Sequence, residues 1–191
     1  MIPDLDASTG HLPPGRYRAT LTEIHARFVD HPDFAESLTR PDVWDGFIGY
    51  MTAWQRLEEA LAEQQLVMSA WLGGSFISMK RDPSNLDLTV IIDGELLESC
   101  VGKPGIGALK KLTHRDRMLQ DFLVSPCILR YCYFRSPFKS HIAGTPNIEE
   151  YVSTRGAFDD WWQRVRPSGE AKGAPSRESA GARRGYLEVE P

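Results

Sequence analysis

The stretch Trp71–Asp93, WLGGSFISMKRDPSNLDLTVIID, constrains the fold more than any other part of the chain. Val67–Leu72 is a short apolar run, and Leu86–Ile92 is β-branched and bounded by turn residues, so both read as strands. Between them stand Gly73-Gly74-Ser75, which permit a tight turn, and a short polar connector. The flanking sequence has helical period. Thr20 with Glu23 three residues on fits a capping box and predicts a helix to about Val29, ending before His31-Pro32. Thr39 as N-cap, with Pro41 in the first turn, opens a longer helix whose Trp44, Phe47, Ile48, Met51, Trp54, Leu57 and Leu61 share one face that covers a sheet. Gly105–Val124 reads as a further helix, Cys127–Phe134 (CILRYCYF) as a third strand, and Asn147–Val165 as a helix broken at Gly156. Strands alternating with helices argue an α/β domain.

A chain of 191 residues, 41% hydrophobic, buries roughly 70% of its unfolded surface around one core. That core is expected in residues 1–166, whose first fifteen, rich in Pro, Gly and Asp, form an arm. Residues 167–183 lack any large apolar side chain and read as a flexible linker; 184–191, RGYLEVEP, read as a strand that docks on a sheet edge. No internal repeat is visible. A net charge of -4 lacks the broad positive field of a duplex-DNA binder. The acidic Met1–Asp6 and the absence of eighteen consecutive apolar residues argue against a signal peptide and a membrane span. Cys100, Cys127 and Cys132 match no zinc spacing and read as reduced thiols, so the expectation is a soluble, cytoplasmic protein.

Chemistry concentrates at the turn. Asn85 and Asp87 are two apart on a strand and project to the same face, where they can hold a cation. Gly73 and Gly74 let a phosphate approach the backbone, Ser75 adds a hydroxyl, and Lys80 and Arg81 in the connector can neutralise phosphate charge. The arrangement Leu72-Gly73-Gly74-Ser75, a gap of about ten, then Asn85-Leu86-Asp87-Leu88 is similar to the signature of the nucleotidyltransferase superfamily, the polymerase-beta-like fold. A wider frame resembles a family of uncharacterised bacterial proteins described only as nucleotidyltransferase-like. It comprises Ile2-Pro3-Asp4, Leu12-Pro13-Pro14-Gly15, Gly73–Phe76 with Pro83 and Asp87, and Arg184-Gly185-Tyr186-Leu187.

The superfamily resemblance implies a mixed sheet flanked by helices (α+β), an NTP whose phosphates rest on the Gly-Gly-Ser turn, and Mg²⁺ or Mn²⁺ held by strand carboxylates. Two hard cations need two or three acids. This chain departs from that pattern. Asn85 stands at the first carboxylate position and offers a neutral carbonyl, and the strand expected to carry the third acid has Arg130 instead. Asp93, Glu95, Glu98 and Asp121 are further acids, but Asp93 is roughly 20 Å from Asp87 along a continuing strand. The expectation is therefore a Mg-dependent nucleotide-binding module with a degenerate catalytic site, in which Asp87 is the main metal ligand and Asn85 its neighbour. Two alternatives stand beside it: an active transferase moving NMP onto a protein, RNA or small-molecule hydroxyl, and a protein-interaction module whose last strand pairs with a partner's sheet.

Other motifs carry less. Val101–Leu109, VGKPGIGAL, lacks the ending of a P-loop and reads as an ordinary loop. His11, His25, His31, His114 and His141 show no ligand spacing, and Ser75 lacks the elbow of a hydrolase nucleophile. Arg130–Lys139, RYCYFRSPFK, interleaves aromatics with cations, which a core strand also explains.

Overall fold

In the computed structural model, residues 1–61, 65–136, 146–165, 181 and 183–190 are described. The linker expected over 167–183 lies almost wholly outside the described residues, as do His141 and the end of the aromatic-basic run. The chain folds as β1 (Gly15–Arg18), α1 (Leu21–Phe28), a 3₁₀ turn (Pro32–Phe34), α2 (Arg40–Leu61), β2 (Val67–Gly73) and β3 (Leu86–Asp93). Then follow α3 (Gly94–Ser99), α4 (Gly107–Leu112), α5 (Arg115–Phe122), β4 (Val124–Tyr131), α6 (Pro146–Trp162) and β5 (Gly185–Val189). The strands form one mixed sheet in the order β1-β5-β2-β3-β4, flanked by helices. β2 is antiparallel to both neighbours, and the outer pairs β1/β5 and β3/β4 are parallel. No described helix is long and apolar enough to cross a membrane.

Local chemistry explains the first helices. The Thr20 hydroxyl accepts from Glu23 N at 3.1 Å while Glu23 accepts from Thr20 N at 2.9 Å, the reciprocal capping box that starts α1. α2 contains Gly46 and Gly49, each costing roughly 1 kcal/mol of helix propensity. Burial of Val43, Trp44, Phe47, Met51, Trp54 and Leu57 outweighs that cost, at about 1.5–3 kcal/mol for a large apolar side chain. Gly46 also has a steric reason: a Cβ there would lie 2.0 Å from the Phe122 carbonyl, where α2 crosses the end of α5.

Alternation then gives the sheet two unlike faces. Ala70, Leu72, Leu86, Leu88, Val90 and Leu187 form a fully buried aliphatic side, with α2 against β3 and β4. The pairings Arg16↔Tyr186, Trp71↔Glu188, Trp71↔Thr89, Gly73↔Asp87 and Asp87↔Ser125 place a polar set on the other side. α6 crosses this polar face: Trp162 Nε1 donates to Thr89 Oγ1 at 2.9 Å, Arg155 lies 5.0 Å over the Trp71 ring, and the Tyr186 hydroxyl bonds Asp159.

Several elements differ from expectation. The helix expected over Gly105–Val124 is two, because His114 caps a new start with its ring nitrogen accepting from Arg117 N. α3 was not foreseen; Asp93 caps it by accepting from Leu96 N at 2.9 Å. β4 begins at Val124 and ends at Tyr131, three residues earlier than Cys127–Phe134, and tolerates Pro126 because it is an edge strand. α6 runs through Gly156 without a break and ends before Val165. β5 is not an edge addition: it lies between β1 and β2 with both sides paired, so it offers no free edge to a partner's sheet.

The connector after the turn is shaped by one side chain. Arg40, fully buried at the start of α2, donates to five carbonyls: Phe28 (2.9 Å), Phe76 (2.7 Å), Ser78 (2.8 Å), Lys80 (2.6 Å) and Arg81 (3.1 Å). Those bonds use every N–H of a guanidinium. Its plane also lies 3.6 Å over the Phe34 ring. Burial lowers its pKa to about 10, with the nearby Asp82 opposing, so it remains charged at neutral pH.

Candidate functional site

The Gly-Gly-Ser turn follows β2 directly, and the pairing Gly73↔Asp87 brings Asp87 beside it. Gly74 has φ +73°, which favours glycine, and a Cβ there would sit 2.2 Å from Asp87 Oδ2. Asn85 shares the face, as its spacing predicts, and its amide Nδ2 donates to Asp87 Oδ1 at 3.2 Å. Asp87, Asn85 and the two glycines therefore form one cluster. Ser75 is half-buried, and its carbonyl accepts the Ser78 hydroxyl at 2.8 Å, closing the turn.

Lys80 and Arg81 are placed differently. Both backbones are held by Arg40, and the exposed Arg81 guanidinium is engaged by Asp82 at 2.8 Å. Asp82 in turn accepts from Leu38 N, which ties the connector to the loop before α2 and directs Arg81 to that loop. The hydrogen bond from Arg81, joined by that from Leu38, holds the Asp82 carboxyl below its ordinary pKa.

None of the four further acids joins Asp87. Asp93 caps α3, Asp121 bonds Arg117 at 3.1 Å, and Glu95 and Glu98 line a separate cavity of about 780 Å³ at the opposite ends of β3 and β4. Among the described residues no three His, Cys, Asp or Glu side chains gather to hold a metal ion. The donor set at Asp87 is one carboxylate beside an amide whose NH₂ is turned towards it. That set suits a single cation that brings its remaining ligands with a nucleotide's phosphates, since Mg²⁺ often binds through one or two carboxylates. It does not suit a pair of cations.

The structure adds residues that spacing alone did not mark. Trp162 lies on Gly73 so closely that a Cβ there would be 2.3 Å from its ring. Arg184 donates to Trp162 O at 3.2 Å and to Gly74 O at 3.1 Å, fastening the end of α6 to the turn. On the other flank, Ser125 of β4 is in register with Asp87, at the place where a neighbouring strand could carry an acid. Its hydroxyl accepts from Arg115 Nε at 2.5 Å. Next along β4, burial pushes the Cys127 thiol pKa up; Arg115 opposes that shift and Asp87 adds to it. His11, bridged to Ser78 near the turn, has its pKa lowered by burial and then by Arg184, and its Nδ1 is buried without a partner.

Arg184 had a signal, since it belongs to the wider frame of the resemblance. Ser125 follows from starting the strand three residues earlier. Helical spacing over Asn147–Val165 places Phe158, Trp161, Trp162 and Val165 on a buried side, and Trp162 is indeed buried. Its contact with Gly73 and the contact of Arg115 had no signal, because they join elements far apart in the chain or lie across a loop.

Comparison with known proteins gives one family match: the model of a family of unknown function, DUF6932, matches residues 3–189, almost the whole chain. No curated protein and no solved structure matches.

Proposed function

The chain belongs to the family of unknown function DUF6932, and from its site we propose a nucleotide-binding module on a nucleotidyltransferase-like, polymerase-beta-like scaffold that does not carry out transfer. One observation carries the reading: Asp87 stands against Gly74 of the Gly-Gly-Ser turn as a single carboxylate, with Asn85 and Ser125 where further acids could complete it. The turn between antiparallel strands, and the carboxylate on the second strand with a parallel strand beyond it, support the fold assignment.

Asp87 would hold one Mg²⁺ or Mn²⁺ that arrives with the nucleotide, and that cation would neutralise phosphate charge. Asn85 orients the Asp87 carboxylate through its amide. Trp162 covers the Gly73 side of the turn and keeps water from it, so ligand approaches Asp87 from the β4 flank, where Asp87 and Cys127 are half-exposed. Losing metal ligands costs orders of magnitude in such chemistry, so moving an NMP group to a hydroxyl has less support than binding.

Thermal unfolding with each NTP, with and without Mg²⁺, tests this on the wild type and Asp87→Ala. A ligand at about 100 times its Kd stabilises by ~2.7 kcal/mol, which raises the midpoint by roughly 5–11 °C for a chain this size. The expected result is a metal-enhanced shift, reduced in Asp87→Ala, with no pyrophosphate released. Pyrophosphate release that depends on Asp87 would overturn the binding-only reading, and no shift with any NTP would overturn the nucleotide reading.

A further inference from the structure

We infer that Arg115 is a phosphate-binding residue of this site, its guanidinium holding a phosphate group of the bound nucleotide in place of a second divalent cation. The inference rests on the nucleotide reading above and adds to it a component of binding that needs no metal.

In parallel strands, residues in register project to the same side, so Ser125 presents its hydroxyl beside the Asp87 carboxylate. Arg115 Nε is bonded to that hydroxyl at 2.5 Å, which fixes the guanidinium on the β4 flank of Asp87.

Arg81 is engaged by Asp82, Arg117 by Asp121, and Arg164 and Arg183 by Asp160. No carboxylate within ion-pair distance is found for Arg115 among the described residues, and its side chain spends one of five N–H groups on Ser125. The remaining donors form a planar fork that matches two phosphate oxygens.

At the turn, Trp162 sits on Gly73, Asp87 lies against Gly74, and Arg184 occupies the Gly74 carbonyl. A phosphate brought next to Asp87 meets a like charge, so it needs cations beside it. A nucleotide-borne Mg²⁺ at Asp87 supplies one and Arg115 the other.

The test measures ATP and inorganic tripolyphosphate binding by calorimetry, in EDTA and in Mg²⁺, for wild type, Arg115→Ala, Arg115→Lys, Asp87→Ala and Arg117→Ala. Ligand-free unfolding of each variant checks that it is folded. Wild type is expected to bind both ligands in EDTA. Arg115→Ala should weaken binding at least tenfold in both media, Arg115→Lys should restore part of it, and the neighbouring Arg117→Ala should change nothing. Asp87→Ala should lose the gain due to Mg²⁺ and, with the like charge removed, bind in EDTA at least as tightly as wild type. Wild-type ATP binding that requires Mg²⁺, or an Arg115→Ala affinity within twofold of wild type, would overturn the assignment and leave the nucleotide reading standing. Tripolyphosphate binding through Arg115 with no nucleotide binding would keep the phosphate seat and sink the nucleotide reading; no binding of either ligand would sink both.

Discussion

A buried arginine without a carboxylate against it is expensive, since the effective penalty for removing one charge from water is several kcal/mol. At Arg40 that penalty is met by five carbonyls, and hydrogen bonds to a charged group contribute about 1.5–3 kcal/mol each. Those bonds offset the penalty, and they have a conformational effect as well: the residue gathers the carbonyls of residues 76, 78, 80 and 81 around one plane and thereby fixes the path from the turn to β3. Replacing it leaves the buried carbonyls of Phe28, Phe76 and Ser78 without that donor. Arg40→Met is expected to lower the unfolding free energy by about 3–4 kcal/mol, read from the urea midpoint at constant slope. Arg40→Lys should recover less than half, because an ammonium has three donors and no fork. Full recovery in the lysine variant would show that charge alone, without the planar geometry, holds the connector. Nothing in the spacing marks this arginine; in the first turn of a helix it reads as a solvated side chain. Asn85 and Asp87 were legible for the opposite reason, since a period of two fixes their common face before any partner is known.

At the scale of elements, the start of α1 could be read because its cap is local, Thr20 with Glu23 acting within one turn; at α2 the expected cap Thr39 instead donates its hydroxyl to Pro83 O at 2.7 Å, and Ser37 Oγ accepts from Arg40 N at 3.2 Å. The split between α4 and α5 depends on His114 capping with a ring nitrogen, a weaker signal than a hydroxyl or carboxylate. β1 escaped because four residues, GRYR, form a strand only when β5 pairs with them. α6 shows the limit most clearly, since its buried side is set by what it crosses. Tyr151 and Trp162 are buried while Trp161 is 38% exposed, an order that hydrophobicity alone does not give. The C-terminal end of α6 is fastened by Asp160, which bonds Arg164 and Arg183. The bond from Arg183, then that from Arg164, holds its carboxyl below the ordinary value of 3.8. A depressed acid contributes stability that is present above its unfolded pKa and lost as pH falls through the folded one. The unfolding midpoint should therefore decline from about pH 5 downward, and Asp160→Asn should be less stable near neutrality yet lose less on acidification. Equal acid sensitivity in the two proteins would show that the Asp160 contacts do not hold α6. Asp6, Glu23 and Asp82 are lowered by their own hydrogen bonds, so a residual slope is expected in the variant.

Across the whole molecule, the last strand is the element that closes the sheet. That RGYLEVEP forms a strand was readable from its alternation, but its place was not, because the order of strands depends on pairings more than a hundred residues apart. β5 brings Tyr186, Leu187 and Val189 into the core, and its Glu188 carboxylate sits between the Trp71 indole at 3.0 Å and the Arg16 and Arg18 guanidiniums at 3.5 Å. Without β5, β1 has no partner and β2 has an open edge beside Trp71. Burial of the three apolar side chains contributes roughly 5–8 kcal/mol, a large share of the 5–15 kcal/mol that typically holds a domain together. Arg184, just before the strand, also carries the bond between α6 and the Gly74 carbonyl, so the same segment completes the core and sets the cover over the turn. A chain ending at Arg183 is therefore expected to lose cooperative unfolding and near-UV circular dichroism, and a synthetic peptide of residues 184–191 added in excess should restore both. Were β5 an appendage on an edge, the truncated chain would melt cooperatively within a few degrees of the full one. Glu188→Gln isolates the charge of the strand from its packing: it keeps the apolar burial and one acceptor for Trp71 but removes the charge that balances Arg16 and Arg18, so it should stay folded and melt cooperatively with a lower midpoint, and loss of cooperativity in this variant would show that the charge, not the packing, holds the strand.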